Sequence, residues 1–531
     1  MPTQPRSGAT GLVVALVVMV LMAAGLVSTS LVFAATGRTG RLLPAEAVRT
    51  DATVSVSVPW PRMPVPVLPT NTPIGPEAAL YDALFAGLTD VDPVSGAARP
   101  RLADSWESTD AVTWTFHLKD GLVFHDGQPV TAQSFVDSWS FAANLDNGFR
   151  NSFKFDEIEV DGSMSGPVAV DDRTLQVGLK SPHSDLPLLM SHPAFAPLPP
   201  QCLASPTECA DTPIGTGPFA AGDDRNDNVG ATVPLERFDD YALDPPQYGE
   251  PAITFRDDTE IGTGSIDSGS VDLVQSTQDD PEPRADQIGT SVATNMYYLH
   301  FPDTDTYGDP RLRQAISLSV DRESTFATVA GMPDAAATTL TSPALPDTVA
   351  DGCSWCYYDP DQARTIWKDP DRNGMSLRIL VQDIDFDKSL AMSMCDRIQE
   401  SLDLDCAVDM LPTEKFLSAM FEPEADRVGL FSWYPDGASA RTVFGDYFQG
   451  MVGYDDAESV TAMQDWDSAV DDATVSTAAG TADERFGQDL PSVPLGCGVN
   501  RVTVGGAVNA DSVRIDPVTN AIAPESVTVR M

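Results

Sequence analysis

The chain has 531 residues, more than one hydrophobic core usually serves, so two or more lobes are expected. Hydrophobic residues make up 42% and charged residues 21%, an ordinary globular balance that excludes wholesale disorder. The formal charge of -46 repels phosphate backbones and anionic headgroups, which argues against nucleic acid as a partner.

Arg6 precedes an apolar run from Gly11 to Ala35, broken only by Ser28, Thr29 and Ser30. The run is long enough for a membrane span, which needs about 20 residues. It also ends in Val32-Phe33-Ala34, the small-residue spacing of a signal peptidase site. Residues 1–36 are therefore expected to be a hydrophobic helix, either an uncleaved anchor or a cleaved signal. No cysteine lies near it, which excludes a lipid-modified N-terminal cysteine. Arg38, Arg41 and Arg49 follow, so basic residues do not fix its orientation, and 37–50 reads as a linker.

Val54 to Val58 alternates like a short strand, and Pro59 to Pro76 is too rich in proline for helix or central strand. Glu77 to Leu88 has helical spacing, with Leu80, Leu84, Phe85 and Leu88 on one side. Thr113 to Leu118 alternates as a strand, Lys119-Asp120-Gly121 signals a turn, and Leu122 to His125 is expected to pair back. Thr131 can cap a helix running through Phe141. Strands are expected at Leu175–Leu179, Leu235–Phe238 and Ala252–Phe255, and a long crossing strand at Ser291–Phe301. Asp309 to Val320 is a strong helix whose buried face is Leu312, Ala315, Ile316 and Leu318. Helices near 359–368 and 387–402 then alternate with strands near 376–382 and 406–411, the pattern of an α/β lobe.

Seven cysteines suit an exported protein. Cys202 and Cys209 flank a short polar loop, and Cys395 and Cys406 stand where a bridge would tie a helix to the next strand. Cys353 and Cys356 form a C-x-x-C pair, which suits a structural bridge, a redox pair or half of a zinc site. Cys497 is left over. Asp369 to Gly374 imitates the opening of a calcium loop, but its twelfth position is Leu380 where a bidentate Glu is required, so no metal site is assigned. His117 and His125 read as structural. No G-x-S-x-G elbow, H-E-x-x-H helix or P-loop is present, so no enzyme activity and no cofactor are expected.

Several segments carry a resemblance in collinear order. They are Leu102 to Trp106, Thr113 to Trp139 (TWTFHLKDGLVFHDGQPVTAQSFVDSW), Pro213 to Phe219 (PIGTGPF), Leu235 to Tyr241 (LERFDDY), Gly269 to Leu273, Asp309 to Arg322 (DPRLRQAISLSVDR) and Tyr358 to Ala363. Together the chain resembles the family 5 extracellular solute-binding proteins, the oligopeptide- and dipeptide-binding components of ABC importers. The resemblance runs from roughly 76 to 450 and thins after Tyr454.

The resemblance implies an α/β, two-lobed periplasmic-binding-protein fold with an extra subdomain on the first lobe. Lobe I would comprise 51–75, 213–295 and 486–531, the subdomain 76–212, and lobe II 296–485. The cleft would close on a peptide or other small solute and present it to an importer permease, with a monomer expected. Trp60, Phe431, Ser432, Trp433, Tyr434 and Asp436 would line the cleft, some of them as an aromatic wall. In peptide binders of this family an Asp near this motif pairs with the ligand's α-ammonium; here Trp433 stands at that place, with Asp436 available by a register shift. Pro302 also departs from the Asn that often follows the crossing strand. The alternative function is an anchored extracytoplasmic sensor or scavenger that keeps the cleft and lacks the permease contact.

Overall fold

The structure, a computed structural model, describes residues 53–59, 67–92, 95–156, 158, 166–222, 232–243, 246, 248, 250–256, 266, 271–276, 288–302, 304–345, 347–350, 352–368, 375–424, 427–435 and 437–530. The hydrophobic leader, the linker, Trp60, Asp436 and the calcium-like loop Asp369–Gly374 lie outside these residues.

Sixteen strands are described, and ten of them form one mixed sheet. In chain order they are β1 (Thr53–Pro59), β2 (Thr89–Val91), β3 (Ala98–Pro100), β4 (Ala103–Ser108), β5 (Thr113–Leu118), β6 (Val168–Asp171), β7 (Thr174–Gly178) and β8 (Phe219–Ala221). There follow β9 (Thr232–Arg237), β10 (Glu250–Arg256), β11 (Leu273–Ser276), β12 (Ile288–His300), β13 (Ser376–Gln382), β14 (Asp405–Leu411), β15 (Arg427–Trp433) and β16 (Ser492–Val504). The ten-stranded order is β14-β13-β15-β12-β16-β11-β1-β10-β9-β8. Strands β4, β5, β7 and β6 make a separate four-stranded sheet, and β2 pairs with β3.

The two longest strands of that sheet join its halves. β12 pairs with β15 through Met296–His300, and β16 pairs with β11 through Arg501–Val504. Between them the β12–β16 ladder loses register from Val292 to Met296. Side chains take over the interrupted hydrogen bonds, as buried backbone groups require. The Thr294 amide donates to Asn520 Oδ1 at 3.1 Å, and Ser342 Oγ donates to the Ala293 carbonyl at 2.6 Å. Opposite this break stands Gly498, where an added Cβ would meet Asn295 Oδ1 at 2.2 Å. A glycine there leaves room for the Asn295 side chain, whose Oδ1, Nδ2 and Cγ a Cβ would strike.

Three apolar cores match this division. One packs Val54, Val56 and Val58 against Leu80, Leu84, Phe219, Leu273 and the C-terminal Ile522 and Val527. A second is built on Trp114, Phe116, Phe135, Trp139 and Phe195 around the four-stranded sheet. The largest takes in Tyr298, Leu312, Ile316, Ile379, Phe386, Leu390, Phe444 and Phe486. The helix Pro310–Ser319 starts at the Asp309 cap and buries all four positions expected of it, Leu312, Ala315, Ile316 and Leu318. Thr131 caps the helix Ala132–Ala142 in a reciprocal capping box with Ser134.

Two expectations are corrected. The helix expected over Glu77–Leu88 ends at Leu84, and Phe85 is extended. The cause is distant in sequence: the Gly217 amide donates to the Leu84 carbonyl at 2.9 Å, and Cβ atoms at Gly215 or Gly217 would fall 2.0 and 2.4 Å from the carbonyls of Leu84 and Ala83. Glycine alone permits this approach, and it takes the helix end out of further winding. Leu122–His125 does not pair back on β5, whose two neighbours are β4 and β7. It folds on itself instead, with Phe124 N–H to Gln128 O and Val130 N–H to Leu122 O. His125 then holds the glycine loop, accepting from the Gly215 amide at 3.1 Å and facing the Gly217 carbonyl at 3.1 Å. Burial pushes its imidazole down to about 4, so it is neutral and structural at neutral pH.

Three disulfides are formed, Cys202–Cys209, Cys353–Cys356 and Cys395–Cys406, and Cys497 is a free, buried thiol on β16.

Candidate ligand cleft

A cavity of about 650 Å³ lies against the register break. Its walls come from both halves: the β2–β3 turn, Ser291 to Thr294 of β12, the loop Thr338 to Ala350, Asn500 of β16 and the C-terminal Ile515 to Asn520. The volume is that of ordinary small-molecule sites. Among its described lining residues one side chain is ionisable, Asp92, and its Oδ1 is already bonded by the Ser95 amide at 2.8 Å and the Ser95 hydroxyl at 3.0 Å. The rest of the polar wall is hydroxyl and amide. Some of it is committed: Thr339 Oγ1 donates to the Thr341 carbonyl, and Asn520 Nδ2 donates to Thr294 Oγ1, each at 2.6 Å. Such a wall offers neutral hydrogen bonding and apolar contact to a guest.

The segment singled out from the sequence ends β15. Strand alternation sends Phe431 and Trp433 to one face and Ser432 to the other. Phe431 is buried among His300, Phe421 and Tyr447, with its ring edge-on to Tyr447 at 5.5 Å. Trp433 stacks on the same Tyr447 ring at 5.6 Å and is only partly buried. Tyr447 belongs to a wide helical turn, Val443–Met451, and donates its hydroxyl to Ser492 Oγ at 2.8 Å. Phe431 therefore packs as a core residue, Trp433 sits at that core's rim, and Tyr434 is 37% exposed. The structure keeps Phe431 to Tyr434 together on one strand end; the described cavity wall is drawn from other residues.

Next to this segment runs a charged seam that sequence reasoning missed. Ser439 and Ala440 bond Asp347, the hydroxyl to Oδ2 at 2.7 Å and the amide to Oδ1 at 2.6 Å. Burial pushes the Asp347 carboxyl up to about 6 despite those bonds. Arg441 Nε donates to Asp467 at 2.6 Å, and on the other side His183 Nε2 meets Asp185 at 2.9 Å. The only sequence signal for it was position, since Ser439 to Arg441 come soon after the segment already suspected.

Two halves with separate cores, joined by two strands across a polar cavity, have the two-lobed periplasmic-binding-protein fold. The bacterial extracellular solute-binding proteins, family 5 (middle region), match residues 97–404, more than half of the chain. The chain belongs to that family. The periplasmic oligopeptide-binding protein of Salmonella typhimurium is 24% identical over 480 residues, covering 82% of this chain and 86% of its own. The nickel-binding periplasmic protein of Escherichia coli is 26% identical over 372 residues, with 63% and 68% covered. Among solved structures, the open, unliganded murein tripeptide-binding protein superposes with a TM-score of 0.72 at 18% identity, covering 92% of this chain and 99% of its own. The oligopeptide-binding protein of Haemophilus influenzae in complex with the peptide RPPGFSPFR gives 0.67 at 18% identity, covering 91% and 100%. These structural likenesses show a shared fold. No helix among the described residues is long and apolar enough to cross a membrane.

Proposed function

We propose that this chain captures short peptides or peptide-like solutes between its lobes, outside the cytoplasm, and delivers them to the permease of an ABC importer. The observation that carries the reading is the cavity at the register break, walled by both halves in a chain of this family. The oligopeptide-binding relative that spans most of the chain supports a peptide ligand. A wall of hydroxyl and amide groups suits it too, because peptide backbones are held by neutral hydrogen bonds that serve many sequences. Three disulfides fit an oxidising compartment. Lobe I is assigned to 51–75, 213–295 and 486–531, its subdomain to 76–212, and lobe II to 296–485, with 1–36 as signal or anchor. Trp433 at the end of β15, Tyr434 just after it, and Trp60 and Asp436 are assigned to the lining of the cleft, with Ser432 beside Trp433 and Phe431 as support beneath.

The test is native mass spectrometry of the full chain purified from its own host, followed by denaturation and identification of released molecules. A family of co-purifying peptides is the expected result. A single non-peptide solute replaces the substrate class. An empty protein that also fails to bind a mixed di- to pentapeptide library in calorimetry overturns the reading.

A further inference from the structure

One buried polar side chain of the cavity wall is left uncommitted among the described residues. The hydroxyls of Ser95, Thr339 and Thr348 donate to Asp92 and to the carbonyls of Thr341 and Ser342, and the Asn520 amide is bound to Thr294. Of the other described polar side chains lining the cavity, Ser291 and Thr338 are exposed, while Asn500 is only 9% exposed. Among the described residues the Asn500 side-chain amide has no hydrogen-bond partner, and it lines the cavity. Burying a donor and an acceptor unpaired is costly, so the natural partner is a group that the guest brings.

Its place in the ladder fixes its aim. Asn500 pairs with Ser291, one rung short of the Val292–Val499 pair at which β12 and β16 lose register. Directly opposed side chains share a face of the sheet, so the amide and the Ser291 hydroxyl open on the cavity side by side. Alternation sends the next residue, Arg501, to the opposite face, where its guanidinium donates to the Ala330 carbonyl. From Arg501 onward β16 is also paired with β11, so the backbone that carries Asn500 is braced before any guest arrives.

We propose that Asn500 anchors a peptide group of the guest, its Oδ1 accepting the N–H and its Nδ2 donating to the C=O of one residue in an extended chain. In such a chain the two backbone groups of one residue point to the same side, the arrangement by which antiparallel strands exchange paired hydrogen bonds. A side-chain amide presents the matching donor and acceptor together. The ligand chemistry narrows accordingly: the anchored group is a secondary amide with its N–H free. An N-methylated or ester-linked backbone keeps the acceptor and loses the donor. Because the contact ignores the guest's side chains, it serves many sequences equally. The anchor presupposes the peptide function proposed above and names the residue that would read the backbone.

Calorimetry of the full chain tests it with two probes, a mixed di- to pentapeptide library and the same library methylated on its peptide nitrogens. Wild type should favour the unmethylated library. Asn500→Leu should bind that library at least tenfold more weakly, with the preference between the two probes reduced at least fivefold. Its thermal midpoint should hold, because an apolar side chain replaces a buried amide that had no partner. A variant that is merely deformed weakens both probes together and keeps the preference. That result, or unchanged affinity in a folded variant, overturns the anchor and leaves the peptide reading standing, as does equal binding of the two probes by wild type. Should Asn500→Leu fail to fold, Asn500→Val, better suited to a strand, is measured in the same way against the same two outcomes. A wild type that binds neither probe overturns the peptide reading and the anchor with it, so the two failures are told apart.

Discussion

The cavity and the seam lie at the same meeting of the two halves and are built from opposite materials. The cavity wall is hydroxyl and amide, with its one described carboxylate already bonded to Ser95. The seam gathers Asp185, Asp347, Asp467, His183 and Arg441. Neutral hydrogen bonds are individually modest and tolerate exchange of partners, whereas a buried charge left without its partner is costly. The division assigns tolerance to the place where guests change and stringency to the place where the two halves must meet in one register.

That contrast can be broken first at the seam. Asp185→Arg replaces a buried carboxylate that faces His183 with a buried cation, and about 3–5 kcal/mol of global stability should be lost. Thermal and chemical denaturation should both report the loss. At the rim between the two regions, Trp433→Ala removes the ring stacked on Tyr447. Partial burial makes the cost about 2 kcal/mol of global stability, less than a fully buried Trp. Chemical denaturation measures it, and loss of binding with no loss of stability would return Trp433 to a purely ligand-facing role.

Asp483 sharpens the comparison from outside both regions. Burial alone pushes its carboxyl up to about 7, and its Oδ1 has no hydrogen-bond partner among the described residues, whereas Asp185 has cations and is held below the usual range although burial opposes its charge. A folded pKa above the unfolded value means that the protonated form stabilises the fold. Its contribution is full below about pH 4 and is lost as pH rises to 7, at up to about 1.4 kcal/mol per pH unit. Asp483→Asn should remove that slope from the stability–pH profile over this interval. The smallest effect is expected in the cavity, where Thr338→Ala should change stability by less than about 0.5 kcal/mol. Ligand affinity should fall by no more than about tenfold, the worth of one neutral hydrogen bond in calorimetry.

Elements whose causes are local were legible in the sequence. β5 falls where alternation placed it, β13 spans the strand expected near 376–382, the cap at Thr131 begins the helix it announced, and the helix expected from Asp309 starts there. Those whose causes are distant were not. The helix after Pro76 stops at Leu84 because Gly215 and Gly217 come up against its last carbonyls, and nothing between Ala79 and Leu88 signals this. Leu122 to His125 has strand composition, but both edges of β5 were already taken by β4 and β7. At the site, Phe431 and Trp433 were found as aromatics near a motif, yet only packing on Tyr447 separates the core residue from the rim residue. The loop Thr338 to Ala350 has no periodicity to betray a cavity wall. Asp185 and Arg441 lie far apart in sequence, and no local pattern joins them.

The disulfides bear on motion. Their cysteines are 7, 3 and 11 residues apart in sequence, so each bridge braces a neighbourhood and none spans the two halves. Loops this short constrain the unfolded chain only modestly. The chain thus braces its parts one by one while no disulfide among the described residues ties them to each other, like a pair of jaws reinforced everywhere except at the bite.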